Sequence, residues 1–141
     1  KVTMKSSANK KPILDLTTYS DMRCPIHGLL SLLSGTWTTY ILWLIRINGE
    51  MRFGELKKQM PKISAKVLTE RLRMLEEAGI LNREQEMTIP PKVTYSFTDQ
   101  GHALEKLLDE VNALALDWNG ELGLPDNVRK TIKVKRKEWL D

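Results

Sequence analysis

The apolar residues of this chain recur with a helical period in five stretches and with a strand period in two. The first helical stretch opens at Cys24-Pro25, where proline's fixed φ suits an initial turn, and Ile26, Leu29, Leu30 and Leu33 then repeat at helical spacing to about Ser34. After Gly35, Trp37, Ile41, Leu44 and Ile45 line one face of a second helix that Asn48-Gly49 stops. Met51-Arg52-Phe53 is long enough only for a minor strand or a link. Residues 54–60 (GELKKQM) make one to two helical turns with Leu56 and Met60 inward and Lys57 and Lys58 outward, closed by Pro61. The best-defined helix is predicted over 64–78. Ser64 is its N-cap, Leu68, Leu72 and Leu75 are its core stripe, and Ala78-Gly79 is its stop.

Beyond Gly79 the period shortens to two. A strand runs from Ile80-Leu81 through Arg83-Glu84, and Val93, Tyr95 and Phe97 alternate with Lys92, Thr94 and Ser96 in a second. Residues 87–91 between them end in two prolines that cannot donate to a ladder, which predicts a hairpin with a projecting tip. Thr98 can cap a following helix whose apolar positions are Leu104, Leu107, Leu108, Val111, Leu114, Ala115 and Trp118, ended by Gly120, Gly123 and Pro125. The final DNVRKTIKVKRKEWLD holds six cations and three anions and reads as a marginal helix or a basic tail.

A short helix, a tight link and a longer amphipathic helix make a helix-turn-helix, and a preceding helix with a following hairpin makes it winged. The expected fold class is therefore mainly α with a small β-hairpin. At 141 residues the chain suits one core, so we expect a single domain over 23–120, a flexible arm over 1–22 and a basic tail over 121–141. Hydrophobic residues make up 41% of the chain and charged residues 28%, and no apolar run approaches a bilayer span, so no membrane segment is expected. The opening KVTMKSSANKK lacks an apolar stretch before a cleavage site, and a single cysteine forbids an intramolecular disulfide; both agree with a cytoplasmic protein.

The net charge of +4 is modest, but it is unevenly distributed. From Arg46 to Arg73 there are eight cations against three anions, and from Glu76 to Glu121 three against ten. Such polarity suits one face for a polyanion. With the three leucines of 64–78 inward, Lys66, Thr69, Glu70 and Arg73 project together on the other side. Arg and Lys can donate to guanine, Glu can accept from cytosine, and a Thr methyl can touch that of thymine, so these four are the candidate base readers of double-stranded DNA. Ser64, Arg52, Lys57, Lys58 and Lys92 are candidate backbone contacts that position without reading sequence. Arg71 lies in phase between the two stripes, and an internal salt bridge to a nearby Glu competes there with a DNA contact.

These residues resemble a known family, the HxlR-type winged helix-turn-helix regulators with their MarR-like fold. The resemblance covers roughly residues 24–118 and rests on CPIHGLLSLLSGTWT, MRFGELKKQM, ISAKVLTERLRMLEEAGIL and IPPKVTYSFTDQG in that order. It implies a cytosolic transcriptional regulator acting as a homodimer, built through its terminal helices, with 64–78 as recognition helix. Dimerisation would place two such helices about one DNA turn apart on an inverted-repeat operator. The residues alone leave open whether helix 102–118 folds back on its own core or meets a partner; the resemblance favours the partner. The expected interface is then Ile26, Leu30, Leu104, Leu107, Leu108, Val111, Leu114 and Trp118. One departure concerns Thr36, where the family commonly has a lysine before the buried tryptophan, which puts a phosphate contact there in doubt.

Cys24 stands at a helix N-terminus beside Arg23 and one turn from His27, a setting that favours a reactive thiolate and suits a sensor of oxidants or small electrophiles. Some family members are held to sense such compounds through a cysteine in this region. The competing reading is a small half-buried residue without reactive consequence. An enzyme, such as a Cys/His hydrolase using Cys24 and His27, lacks an orienting third group, and His102 opens a different helix. No phosphate-binding glycine loop or metal-ligand spacing occurs, so no cofactor or metal is expected. The remaining alternative is a winged-helix interaction module that does not bind DNA.

Overall fold

The leucines that recur in residues 64–78 are withdrawn completely from solvent, and the core of the molecule is built around them. In the computed structural model of the chain, residues 16–19 and 23–119 are described, and they divide into two units that meet in sequence at Ser34 and Gly35.

In the first unit, α1 (Pro25–Leu33) starts with proline in its first turn and has Cys24 at the N-cap, where no side chain makes a capping hydrogen bond. Leu16–Tyr19 form one turn of 3-10 helix that packs on α1. The approach is so close that a Cβ on Gly28 would collide with the Leu16 carbonyl oxygen. This turn lies within the stretch expected to be a flexible arm; the rest of that arm, and the basic tail 121–141, lie outside the described residues. Leu32 and Leu33 are buried, whereas Ile26 and Leu30 are exposed.

In the second unit, α2 (Thr38–Asn48) is buried on more sides than its expected stripe. Leu42 and Ile47 join Ile41, Leu44 and Ile45 inside, as befits a helix apolar around most of its circumference. Helix α3 (Phe53–Gln59) buries Leu56 and is followed by buried Met60 and Ile63. Helix α4 (Ala65–Glu77) buries Leu68, Leu72 and Leu75, each worth about 1.5–3 kcal/mol of transfer free energy.

The sheet has three strands where a hairpin alone was expected. Strands β2 (Leu81–Glu86) and β3 (Lys92–Phe97) pair antiparallel, Leu81 opposite Phe97 and Glu86 opposite Lys92. Strand β1 (Glu50–Arg52) adds to the other side of β3 with Met51 opposite Tyr95, so β3 is central. Phe53 accordingly opens α3 and does not extend the strand. Burial of Met51, Tyr95 and Phe97 explains why so short a strand holds.

Thr98 locks the end of the sheet to the final helix. Its hydroxyl donates to the Gly79 carbonyl at 2.6 Å and accepts from the Gly101 N–H at 2.9 Å, capping a 3-10 turn (Gly101–Ala103) that leads into α5 (Leu104–Asn119). Along α5, Leu108 is only 4% exposed. This corrects its place in the expected dimer interface: it belongs to the protomer's own core. Leu104 is half-buried, and Leu107, Val111, Leu114 and Trp118 form an exposed stripe.

Candidate nucleic-acid interface

Ser64 starts the central helix as its sequence dictates. Its Oγ accepts a hydrogen bond from the Val67 N–H at 3.1 Å, satisfying one of the first-turn amides. The hydroxyl proton stays available, and the residue is exposed at the positive end of a thirteen-residue helix.

Because Leu68, Leu72 and Leu75 are fully buried, the opposite face is set by helical geometry. Lys66, Thr69, Glu70 and Arg73 are all exposed on it. Thr69 differs from its companions, since its hydroxyl donates to the Ala65 carbonyl at 2.7 Å. With that proton committed inward, the side chain offers an oxygen lone pair and a methyl group but no donor.

Helix α3 supplies the flanking cations. Its N-cap is Arg52, whose backbone N–H donates to Glu55 Oε1 at 3.1 Å. This half of a capping box was readable in the sequence as an acid three residues into the helix, and the sequence reading missed it. Arg52 and Lys58 are exposed and Lys57 half-buried. Lys92 is set apart from this group. It pairs in register with Glu86 at the far end of β2 from α4, roughly 17 Å along the strand by the usual rise per residue.

Arg71 makes no ion pair with any described carboxylate, so the internal salt bridge weighed for it is not formed. Ion pairs among the described residues include those of Arg46 with Glu105 and Asp109, and of His102 with Glu105. Arg71 instead lies half-buried beside Gly35. Among the described residues no group of three or more His, Cys, Asp or Glu side chains could hold a metal ion, and no single helix is long and apolar enough to cross a membrane. Cys24 is a free, half-buried thiol.

Comparison with known proteins places this arrangement among transcriptional regulators. The model of the HxlR-like helix-turn-helix family matches residues 32–122. The uncharacterised HTH-type transcriptional regulator YdeP of Bacillus subtilis (strain 168) is 37% identical over 100 residues, covering 71% of this chain and 77% of YdeP. The solved structure of the redox regulator HypR in its reduced form is similar with a TM-score of 0.59 and 37% identity, over 64% of this chain and 88% of that one. A Porphyromonas gingivalis W83 protein assigned to the MarR family of transcriptional regulators gives a TM-score of 0.62 at 34% identity, over 69% and 94% of the two chains.

Proposed function

The chain belongs to the HxlR-like helix-turn-helix family and is a transcriptional regulator with a DNA-binding helix-turn-helix domain; from that premise we propose that it acts as a homodimer on an inverted-repeat operator, with α4 in the major groove of each half-site. The observation that carries this reading is the exposed row Lys66, Thr69, Glu70 and Arg73 opposite three fully buried leucines. A helix held so firmly on one side offers the groove a single, preorganised set of side chains. Lys66 and Arg73 donate to guanine, Glu70 accepts from the cytosine amino group, and Thr69 turns its methyl toward thymine. Arg52, Lys57, Lys58 and Ser64 contact phosphates around the helix, and Lys92 does so from the wing.

Dimerisation is supported by the outer stripe of α5. Leu107, Val111, Leu114 and Trp118 are spaced at alternating intervals of four and three residues, and Trp118 is 75% exposed. A stripe at that spacing is what a partner helix covers. Half-buried Leu104 joins this stripe in the proposed interface, and exposed Ile26 and Leu30 of α1 are proposed as dimer contacts in their own right. The site of action is the cytoplasm, where the DNA is.

Regulation through Cys24 is the finer part of the proposal. It is supported by the free thiol at the start of α1 and by the redox regulator among the similar structures. As the only cysteine, it can form a disulfide only between two chains, each thiol giving up one electron and one proton to the oxidant, or it can take up an electrophile. If replacing Cys24 by serine leaves both DNA affinity and its response to diamide or quinones unchanged, this part fails.

Selection of bound sequences from a random duplex pool at physiological salt tests the whole reading. We expect an enriched inverted repeat and a steep fall of affinity with salt. Absence of any enriched sequence would overturn the proposal in favour of a winged-helix module that binds protein.

A further inference from the structure

The end of α4 and the start of α5 are fastened to one residue, Thr98. Helix α4 stops in a Schellman turn, in which the Gly79 N–H donates to the Glu76 carbonyl at 2.9 Å and the Ile80 N–H to the Leu75 carbonyl at 3.0 Å, with Gly79 at φ +76°. The Gly79 and Ile80 carbonyls are then satisfied from outside the helix. The Thr98 hydroxyl donates to the Gly79 carbonyl at 2.6 Å and lies 3.2 Å from that of Ile80, to which the Thr98 N–H also donates at 3.0 Å.

The same residue holds the turn that leads into α5. Its hydroxyl oxygen accepts from the Gly101 N–H, and its carbonyl accepts from the His102 N–H at 2.9 Å. The joint has no slack. A Cβ on Gly101 would collide with the Ile80 carbonyl oxygen, and one on Gly79 would stand 3.4 Å from Gln100 Oε1.

The two helices so joined carry different halves of the proposed function: α4 has the exposed row Lys66, Thr69, Glu70 and Arg73, and α5 the stripe proposed to meet a second copy. In a two-fold dimer the angle between them sets the distance between the two reading helices. The lever is long. Sixteen residues make α5 about 24 Å in length, so a tilt of about 10° at its start moves its far end by about 4 Å. That exceeds the rise of one base pair, ~3.4 Å.

We propose that Thr98 is a positioning residue that fixes the angle between α4 and α5, and thereby the number of base pairs between half-sites, without touching DNA. The inference rests on the dimeric DNA-binding reading above.

The test measures binding of the full chain to the selected operator with its half-sites at their native separation or moved one or two base pairs closer or further apart, and to a duplex with a single half-site. Wild type, Thr98→Val, Thr98→Ser, Gly101→Ala and Ile41→Val are compared at about 15 °C, near the temperature of greatest stability. The wild type is expected to lose about 10–100-fold for a shift of one base pair, because its two reading helices no longer engage together. Thr98→Val keeps the shape and loses the hydroxyl. Its loss on the shifted operators is expected to shrink to within about threefold, while it remains a dimer by light scattering and keeps its affinity for the single half-site. Gly101→Ala forces the joint apart and is expected to broaden or move the preferred separation as well. Thr98→Ser restores the hydroxyl and with it the wild-type profile, and Ile41→Val, fully buried in α2, lowers the thermal midpoint with the profile unchanged.

A wild-type separation profile for Thr98→Val, even with every affinity lowered, would overturn the inference and leave the DNA-binding reading standing. A monomeric Thr98→Val, or one whose affinity for the single half-site falls as far as that for the operator, would overturn it too. Should Thr98→Val not fold, Gly101→Ala decides by the same criteria. A wild type indifferent to separation would remove the dimeric reading and this inference together.

Discussion

Arg46 of α2 grips Asp109 of α5 with two parallel hydrogen bonds, Nε donating to Oδ1 at 3.0 Å and Nη2 to Oδ2 at 2.8 Å. Its Nη1 reaches Glu105 Oε2 at 2.8 Å, and Glu105 in turn pairs with His102. The core helix and the helix proposed to carry the dimer contact are thus tied by a partly buried ionic clamp. Truncation with Arg46→Ala takes the guanidinium from Asp109 and leaves Glu105 with His102 alone, and is expected to cost about 1–3 kcal/mol, read as a fall of several degrees in the thermal midpoint.

The sign of its pH dependence follows from the same geometry. The hydrogen bond to Asp109 raises the Arg46 guanidinium above its ordinary value, outweighing the lowering by burial, and the charges of Asp109 and Glu105 raise it further. A raised folded-state value gives a contribution that is complete below the unfolded value and lost only on titration through the folded one. The midpoint difference between wild type and Arg46→Ala should therefore be equal at about pH 7 and about pH 10; a marked decline between them would contradict the assignment.

Gly101 sits where only glycine fits. A Cβ there would collide with the Ile80 carbonyl oxygen and stand 2.9 Å from Phe97 Cδ1, and neither a backbone carbonyl nor a packed ring yields easily. Gly101→Ala should lower stability by roughly 1–3 kcal/mol in urea or thermal denaturation, more than Gly54→Ala, where nothing lies within 4 Å of the added carbon.

Loss of the Ser64 cap with Ser64→Ala should cost about 1 kcal/mol of stability by thermal denaturation, and Ser64→Asp should preserve it. The two variants should part in DNA binding, because a carboxylate at the helix N-terminus repels the phosphate that the hydroxyl is proposed to contact.

At the reading face, Lys66→Ala and Arg73→Ala should each weaken operator binding by about 1–3 kcal/mol and relax the sequence preference at one base pair per half-site, measured by repeating the duplex selection. Retention of the full preference in both variants would show that α4 is not the reading helix.

For assembly, Leu114→Asp and Trp118→Asp place a charge in the exposed α5 stripe without touching the buried Leu108. Light scattering should report a dimer for the wild type and a monomer for these variants, with operator affinity falling together with the lost second half-site. A wild type that stays monomeric at high concentration would refute the proposed interface.

The helices, the strand pair and the outward set Lys66, Thr69, Glu70 and Arg73 were legible in the amino-acid order. Each depends on spacing within one element, where a period of 3.6 or 2 decides which side chains share a face, and the Ser64 cap is equally local. What joins elements distant in the chain was not legible. Arg46 and Asp109 are 63 residues apart, and no local pattern selects that pair among the available charges. The three residues of β1 have too little periodicity to announce a strand; only their pairing with β3 makes them one. Leu107 and Leu108 are chemically alike neighbours, and a turn of about 100° per residue places one outside and the other in the core only once α5 has docked. Arg71 shows the same division. Its phase between two stripes was plain from the sequence, but the fold alone brought it to the turn that also holds Gly35 and Thr38.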